Sequence, residues 1–143
     1  MTRTFTKLLV LALVAISSFS ACSKTTTKTY YKEDLIGTYT IVSITSKISG
    51  SSELNVTDDY LQDCQKDDLM VLKSDLSLQM VDAGTTCYPS SNDSGDWDVN
   101  GSTFYWNGEP YKIRSLTTTN LVIEEVNSNS NNDEVITVTL VKR

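Results

Sequence analysis

The chain has 143 residues, a length that suits one domain once any leader is removed. Its 18 acidic residues outweigh 12 basic ones, for a formal charge of −6, which argues against nucleic acid and against a polybasic contact with anionic lipid. There is no histidine, so the commonest general base, the usual zinc ligand and both Ser-His and Cys-His nucleophile pairs are excluded.

Arg3 and Lys7 precede an unbroken apolar run over residues 8–16, and small residues follow. The run is too short to span a bilayer and has the pattern of a secretory signal. Phe19-Ser20-Ala21-Cys22 then resembles a bacterial lipobox, with the cysteine directly after Ser-Ala. The resemblance implies removal of residues 1–21 and lipidation of Cys22, as in a Gram-negative envelope lipoprotein. The alternative is a plain signal peptide cleaved near Ala21, with a free cysteine left over. Several acyl chains on such a cysteine give stable anchoring, so the membrane is the expected partner through the N-terminal lipid. Loss of Arg3 and Lys7 with the leader takes the formal charge from −6 to −8. After Cys22 no acidic residue occurs until Glu33, so neither an inner-membrane retention aspartate nor an acidic surface-export cluster is present. The expected address is the outer membrane, facing the periplasm. Residues 22–34 read as the lipidated cysteine and a flexible tether. Residues 35–143 read as one folded domain, expected to be monomeric.

From Leu35 onward the pattern is that of strands. Residues 38–45 (TYTIVSIT) are rich in β-branched and aromatic side chains. Residues 58–66 have room for one short helix, with Thr57 or Asp58 as its N-cap. Residues 68–73 and 76–81 are two short runs around a Ser74-Asp75 turn. Residues 95–99 and 103–106 flank Asn100-Gly101, a strong hairpin signal because both turn residues tolerate positive φ. Residues 111–116 and 121–126 flank a Thr-Thr-Thr-Asn turn, and residues 135–141 follow the polar loop 127–133. The last strand alternates Ile136, Val138 and Leu140, suited to a barrel interior, with Val135, Thr137, Thr139 and Val141. About eight sequential strands without βαβ alternation predict an antiparallel up-and-down barrel, with a sandwich as the other common solution. Gly37-Thr38-Tyr39 and Gly95-Asp96-Trp97 each set a glycine two residues before a large aromatic, which suits an aromatic covering one barrel end.

Cysteine counting leaves Cys64 and Cys87 as one pair once Cys22 takes lipid, in a compartment where such a pair oxidises. Closing that loop is worth about 3 kcal/mol in the chain-entropy model. Two unpaired buried thiols are the alternative.

Several features in this order resemble the lipocalin-like domain of small bacterial lipoproteins. They are Leu35-Ile36-Gly37-Thr38-Tyr39, Cys64-Gln65-Lys66-Asp67-Asp68 before a strand, Cys87, Gly95-Asp96-Trp97, Asn100-Gly101 and Tyr111-Lys112-Ile113. The resemblance covers about residues 35–142, and order and spacing carry it. It implies a small antiparallel barrel or half-open calyx. Lipocalins proper open the first strand with Gly-x-Trp, and this chain has Tyr39 at the tryptophan position. Members of the lipocalin-like group are mostly without known activity, so the resemblance bears on fold more than on function.

Chemistry-bearing residues are few. Asp58, Asp59, Asp63, Asp67 and Asp68 crowd Cys64, and Asp93, Asp96 and Asp98 crowd Trp97. Neither group has the calcium-loop spacing, so solvated loops are the default and no metal or other cofactor is expected. Tyr39, Trp97 and Tyr111 are the candidate wall of a ligand cavity, with core filling as the competing role. The expectation is a non-enzymatic binder of a small apolar or amphipathic ligand in the barrel mouth. The alternative is an envelope module with a filled barrel whose loops contact a protein or glycan. Large inward side chains on every strand would favour the second.

Overall fold

The computed structural model describes residues 28–125 and 134–143. The signal segment, Cys22 and the loop 127–133 therefore lie outside the described residues. Nine strands occur among the described residues: β1 (Gly37–Ile48), β2 (Leu54–Asn55), β3 (Leu69–Leu72), β4 (Ser77–Val81), β5 (Asp93–Asn100), β6 (Thr103–Trp106), β7 (Glu109–Leu116), β8 (Asn120–Glu125) and β9 (Glu134–Lys142). All pairings are antiparallel, and β3 to β9 follow one another in sequence order. The long strand β1 closes the ring. Residues 37–39 pair with β3, and residues 39–48 pair with β9. The result is the expected up-and-down barrel of eight strands, with β2 as a two-residue annex on β1.

Two bulges keep the apolar residues pointing inward. In β1 the register shifts between Ile41 and Ser43, so Val42 is the extra residue and stays exposed. Ile41 and Ile44 then both face the core side, although they are an odd number of residues apart. In β7 a second shift between Ile113 and Ser115 makes Arg114 the extra residue, so Ile113 and Leu116 share the inner face.

One end of the barrel is plugged. Tyr30 and Leu35 are buried in the core, Leu35 as the last residue of the four-residue helix α1 (Lys32–Leu35) that precedes the first strand. Tyr30 donates its backbone N–H to Gly101 O at 2.8 Å, and Tyr39 Oη donates to Leu35 O at 2.6 Å. Packed chain thus begins at Tyr30, before the Leu35 boundary expected from composition, because Tyr30 supplies core surface that a tether would leave in water.

Local expectations need two corrections. The helix expected over residues 58–66 is two separate turns, α2 (Thr57–Tyr60) and a 3-10 turn (Asp63–Gln65), broken by extended backbone at Leu61 and Gln62. The Asn100-Gly101 hairpin turns one residue later, since Asn100 pairs with Thr103 and the loop is Gly101-Ser102, with Gly101 at φ +63°. The Asn-Gly with both residues at positive φ is Asn107-Gly108 (+51° and +82°), which joins Trp106 to Glu109. The Ser74-Asp75 turn forms as expected, with Asp75 accepting the Ser77 N–H at 3.0 Å.

Candidate functional site

Alternation aims one set of side chains into the barrel, and every strand of the ring contributes a large one. Tyr39 comes from β1, Met70 and Leu72 from β3, Leu78 from β4, and Trp97 from β5. Phe104, Ile113, Ile123 and Leu140 come from β6 to β9. Tyr39 is 0% and Trp97 1% exposed, so no space large enough for water borders either ring. Their polar atoms are spent on the fold: Tyr39 Oη on Leu35 O, and Trp97 Nε1 on Lys73 O at 3.0 Å. Burial pushes the Tyr39 hydroxyl up to about 12. Both residues, expected as cavity wall, instead fill the closed half of the barrel.

Tyr111 lies nearer the opposite end and is half-buried. Its ring sits 6.4 Å from Phe104 and 6.4 Å from Trp106, centroid to centroid. Burial raises its hydroxyl pKa first, and the charges of Glu125 and Glu109 add to that. Trp106, Tyr111 and Met80 are partly buried toward this end, all packed against the core from its edge. Glu134 accepts a hydrogen bond from the Ser46 hydroxyl at this end. Of the three ligand candidates, only Tyr111 is placed where a bound molecule can touch it.

Long loops crown the mouth end. Residues 49–68 and 82–92 are tied by the Cys64–Cys87 disulfide, with Cα atoms 5.3 Å apart, which removes the free-thiol alternative. The carboxylates beside it are structural acceptors, a role that sequence reading missed. Asp68 Oδ1 accepts the Ala83 N–H at 3.1 Å, and its Oδ2 accepts the Ser91 hydroxyl at 2.6 Å. Asp67 accepts the Thr85 N–H at 2.8 Å. Asp82 accepts N–H groups of Cys87 and Ser91. For Asp82, burial pulls the pKa upward but hydrogen bonds from Cys87, Ser90 and Ser91 outweigh it, leaving the carboxyl below its ordinary value. Lys66 bridges Asp58 at 2.7 Å and Asp63 at 2.6 Å.

Asp68, Asp82 and Cys87 bring donor atoms within 4.8 Å of one another. That set suits no cation as it stands, since the sulfur is in the disulfide and both carboxylates already accept protein donors. Asp93, Asp96 and Asp98 do not converge either: β5 alternation sets Asp93 on the opposite face from the other two, and Asp98 pairs with Lys32 at 2.9 Å.

The same crown exposes apolar side chains. Ile48, Leu54, Tyr60, Tyr88 and Val135 all lie at this end and are exposed, Tyr88 completely. Tyr60 and Tyr88 sit close in sequence to the two bonded cysteines, and that flanking is the one sequence signal that could have found them. No helix of the described residues is long and apolar enough to cross a membrane. No family model, curated protein or solved structure matches this chain.

Proposed function

We propose that this protein is a lipid-anchored cell-envelope lipoprotein of lipocalin-like type, without enzymatic activity. Its barrel is a solid scaffold, and its loop crown contacts another envelope molecule. The observation that carries this reading is the filled interior: every strand of the ring directs a large apolar side chain inward. A core packed in that way has no room for a carried ligand. The exposed crown side chains, on loops fixed by a disulfide and by carboxylates that accept loop N–H groups, are a pre-organised contact surface of the kind monomers seldom leave uncovered. The basic start, apolar run and Ser-Ala-Cys22 supply the address, the outer membrane facing the periplasm.

A second reading keeps one specific support. Trp106, Tyr111 and Met80 are only partly buried at the mouth, where a small amphipathic ligand has an aromatic floor to rest on. Two measurements separate the readings. Native mass spectrometry of the exported chain returns the bare protein mass if the barrel is solid, and a stoichiometric small-molecule adduct if the mouth is loaded. A photo-crosslinking residue at Tyr88 captures an envelope partner in cells, whereas the same residue at the outward Gln79 does not. An adduct in the first experiment with no crosslink in the second overturns the scaffold reading.

A further inference from the structure

The plugged end of the barrel carries a second cavity, unrelated to the mouth. It has a volume of about 540 Å³, and its lining includes Lys28, Tyr30, Asp34, Thr117, Thr118 and Lys142. Among the described residues, neither lysine has a carboxylate oxygen within 4.0 Å. The single acid of the lining, Asp34, has one carboxylate oxygen engaged by the Tyr31 N–H at 3.0 Å. Both ammonium groups are held over aromatic rings, Lys28 Nζ 5.0 Å from the Tyr30 centroid and Lys142 Nζ 5.7 Å from that of Tyr39. The Lys142 stem crosses Gly37, where any Cβ would collide with it. Thr118 adds a hydroxyl with no partner among the described residues, while Thr117 Oγ1 is spent accepting the Asn120 N–H at 2.9 Å. The lining therefore carries two ammonium groups against one carboxylate, a net positive charge, with the Thr118 hydroxyl as a further donor.

Its position narrows the ligand. Lys28 is six residues beyond Cys22. Six extended residues reach at most about 20 Å. On the lipid-anchor reading, the plugged end stays within that distance of the bilayer surface. Most of the acidic excess lies at the crown end, with Asp58, Asp59, Asp67, Asp82, Asp93 and Glu109, whereas at the plugged end Glu33, Asp34 and Asp75 are set against Lys28, Lys73 and Lys142, and Asp98 is paired with Lys32. We propose that the cavity binds a phosphate group, that of an anionic phospholipid headgroup, and so seats the barrel plugged end down with its crown facing outward. Weak affinity is enough for this, because the tether holds the local concentration near the millimolar range.

Every strand and every core side chain named above lies within residues 28–143, so the unlipidated segment 23–143 carries the whole fold. The test is co-flotation of that segment with phosphatidylcholine vesicles, with and without phosphatidylglycerol, alongside amide NMR titration with inorganic phosphate. The expected result is binding to the phosphatidylglycerol vesicles alone, weakened about fivefold by each of Lys28→Gln and Lys142→Gln. Lys28→Arg with Lys142→Arg keeps it, and Lys47→Gln at the crown leaves it unchanged. Unchanged melting temperatures show that the losses are not unfolding. Phosphate-induced shifts at Thr117 and Thr118 without vesicle binding overturn the headgroup and leave a free-phosphate site. No response to either probe, or vesicle binding that survives both glutamine substitutions, overturns the site. The lipid-anchor reading fails separately, if the intact mass of the membrane-extracted protein lacks acyl chains on Cys22.

Discussion

The Ser91 hydroxyl donates a 2.6 Å hydrogen bond to the buried carboxylate of Asp68, 23 residues away in sequence. The other oxygen of the same carboxylate takes the Ala83 N–H. One acid at the foot of β3 thus ties both ends of the return loop between β4 and β5, beside the contacts that Asp67 and Asp82 make. Removing Asp68 leaves a part-buried N–H and a part-buried hydroxyl without their acceptor. Asp68→Ala is expected to cost about 2–3 kcal/mol in urea unfolding, against less than about 0.5 for Asp59→Ala, which is exposed. Equal effects would mean that the carboxylate is a solvated loop charge after all.

Reduction of Cys64–Cys87 is a second test of the crown. The bond closes 23 residues of sequence separation, worth about 3 kcal/mol of unfolded-state entropy. None of the closed-half core depends on it, since Tyr39, Trp97 and Leu140 are held by strand pairing and the Tyr30–Leu35 plug. A Cys64→Ser, Cys87→Ser variant should keep slow amide exchange in β1, β8 and β9 and gain fast exchange over residues 58–68 and 82–92. Loss of protection throughout the barrel would show that the staple carries the fold rather than the crown.

Gly95 and Asn107 make the sharpest local prediction. Asn107 Oδ1 lies over Gly95, where a Cβ would overlap it, and accepts the Asp96 N–H at 3.0 Å. Gly95→Ala must push that side chain away and break the bond, at about 2 kcal/mol. In an Asn107→Gly background the collision partner is gone and φ +51° is still accessible. The same Gly95→Ala change should then cost less than about 1 kcal/mol, a coupling readable by a double-mutant cycle.

How much of this could be read from the chain depends on the range of the cause. The strands and their sequential pairing come from local alternation, and residues 135–141 show it most plainly. Counting cysteines pointed to Cys64–Cys87 on the expectation that Cys22 takes lipid, and the structure bears out the pair. The bulges at Val42 and Arg114 were not readable, since Ile41-Val42 is apolar at both positions and only pairing with β9 decides which residue is extra. The two Asn-Gly pairs are locally equivalent. Their different use follows from the register that sets Val99 opposite Phe104 and Trp97 opposite Trp106, a tertiary preference for stacking large inward groups. Asp67 and Asp68 looked like part of a solvated acidic stretch because their donors arrive from a loop 15 to 23 residues away, and Asp82, whose donors lie within its own loop, gave no signal at all. Tyr39, Trp97 and Tyr111 have side chains fit for either a wall or a core, and packing alone assigns the first two to the core.

The pH dependence of stability follows from which groups the fold perturbs and in which direction. Asp98 is held below its ordinary pKa by Lys32 and then by the Val99 N–H, and Asp82 and Asp75 are also lowered. A carboxyl with a depressed folded pKa stabilises above its unfolded value, near 4, and that contribution is lost as pH falls through the folded one. Tyr39 runs the other way. Its folded pKa is pushed to about 12, so its contribution is complete below the unfolded value of about 10 and is lost as pH rises between the two, an amount of order 2 kcal/mol. With no histidine in the chain, stability should be level between about pH 5 and pH 9 and fall on both sides. Urea unfolding across that range checks the profile, and Tyr39→Phe assigns the alkaline limb. The variant gives up the hydrogen bond to Leu35 O, about 1 kcal/mol at neutral pH, and loses the alkaline drop with it. An unchanged drop in Tyr39→Phe would place that titration on another group, with the half-buried Tyr111 as the next to substitute.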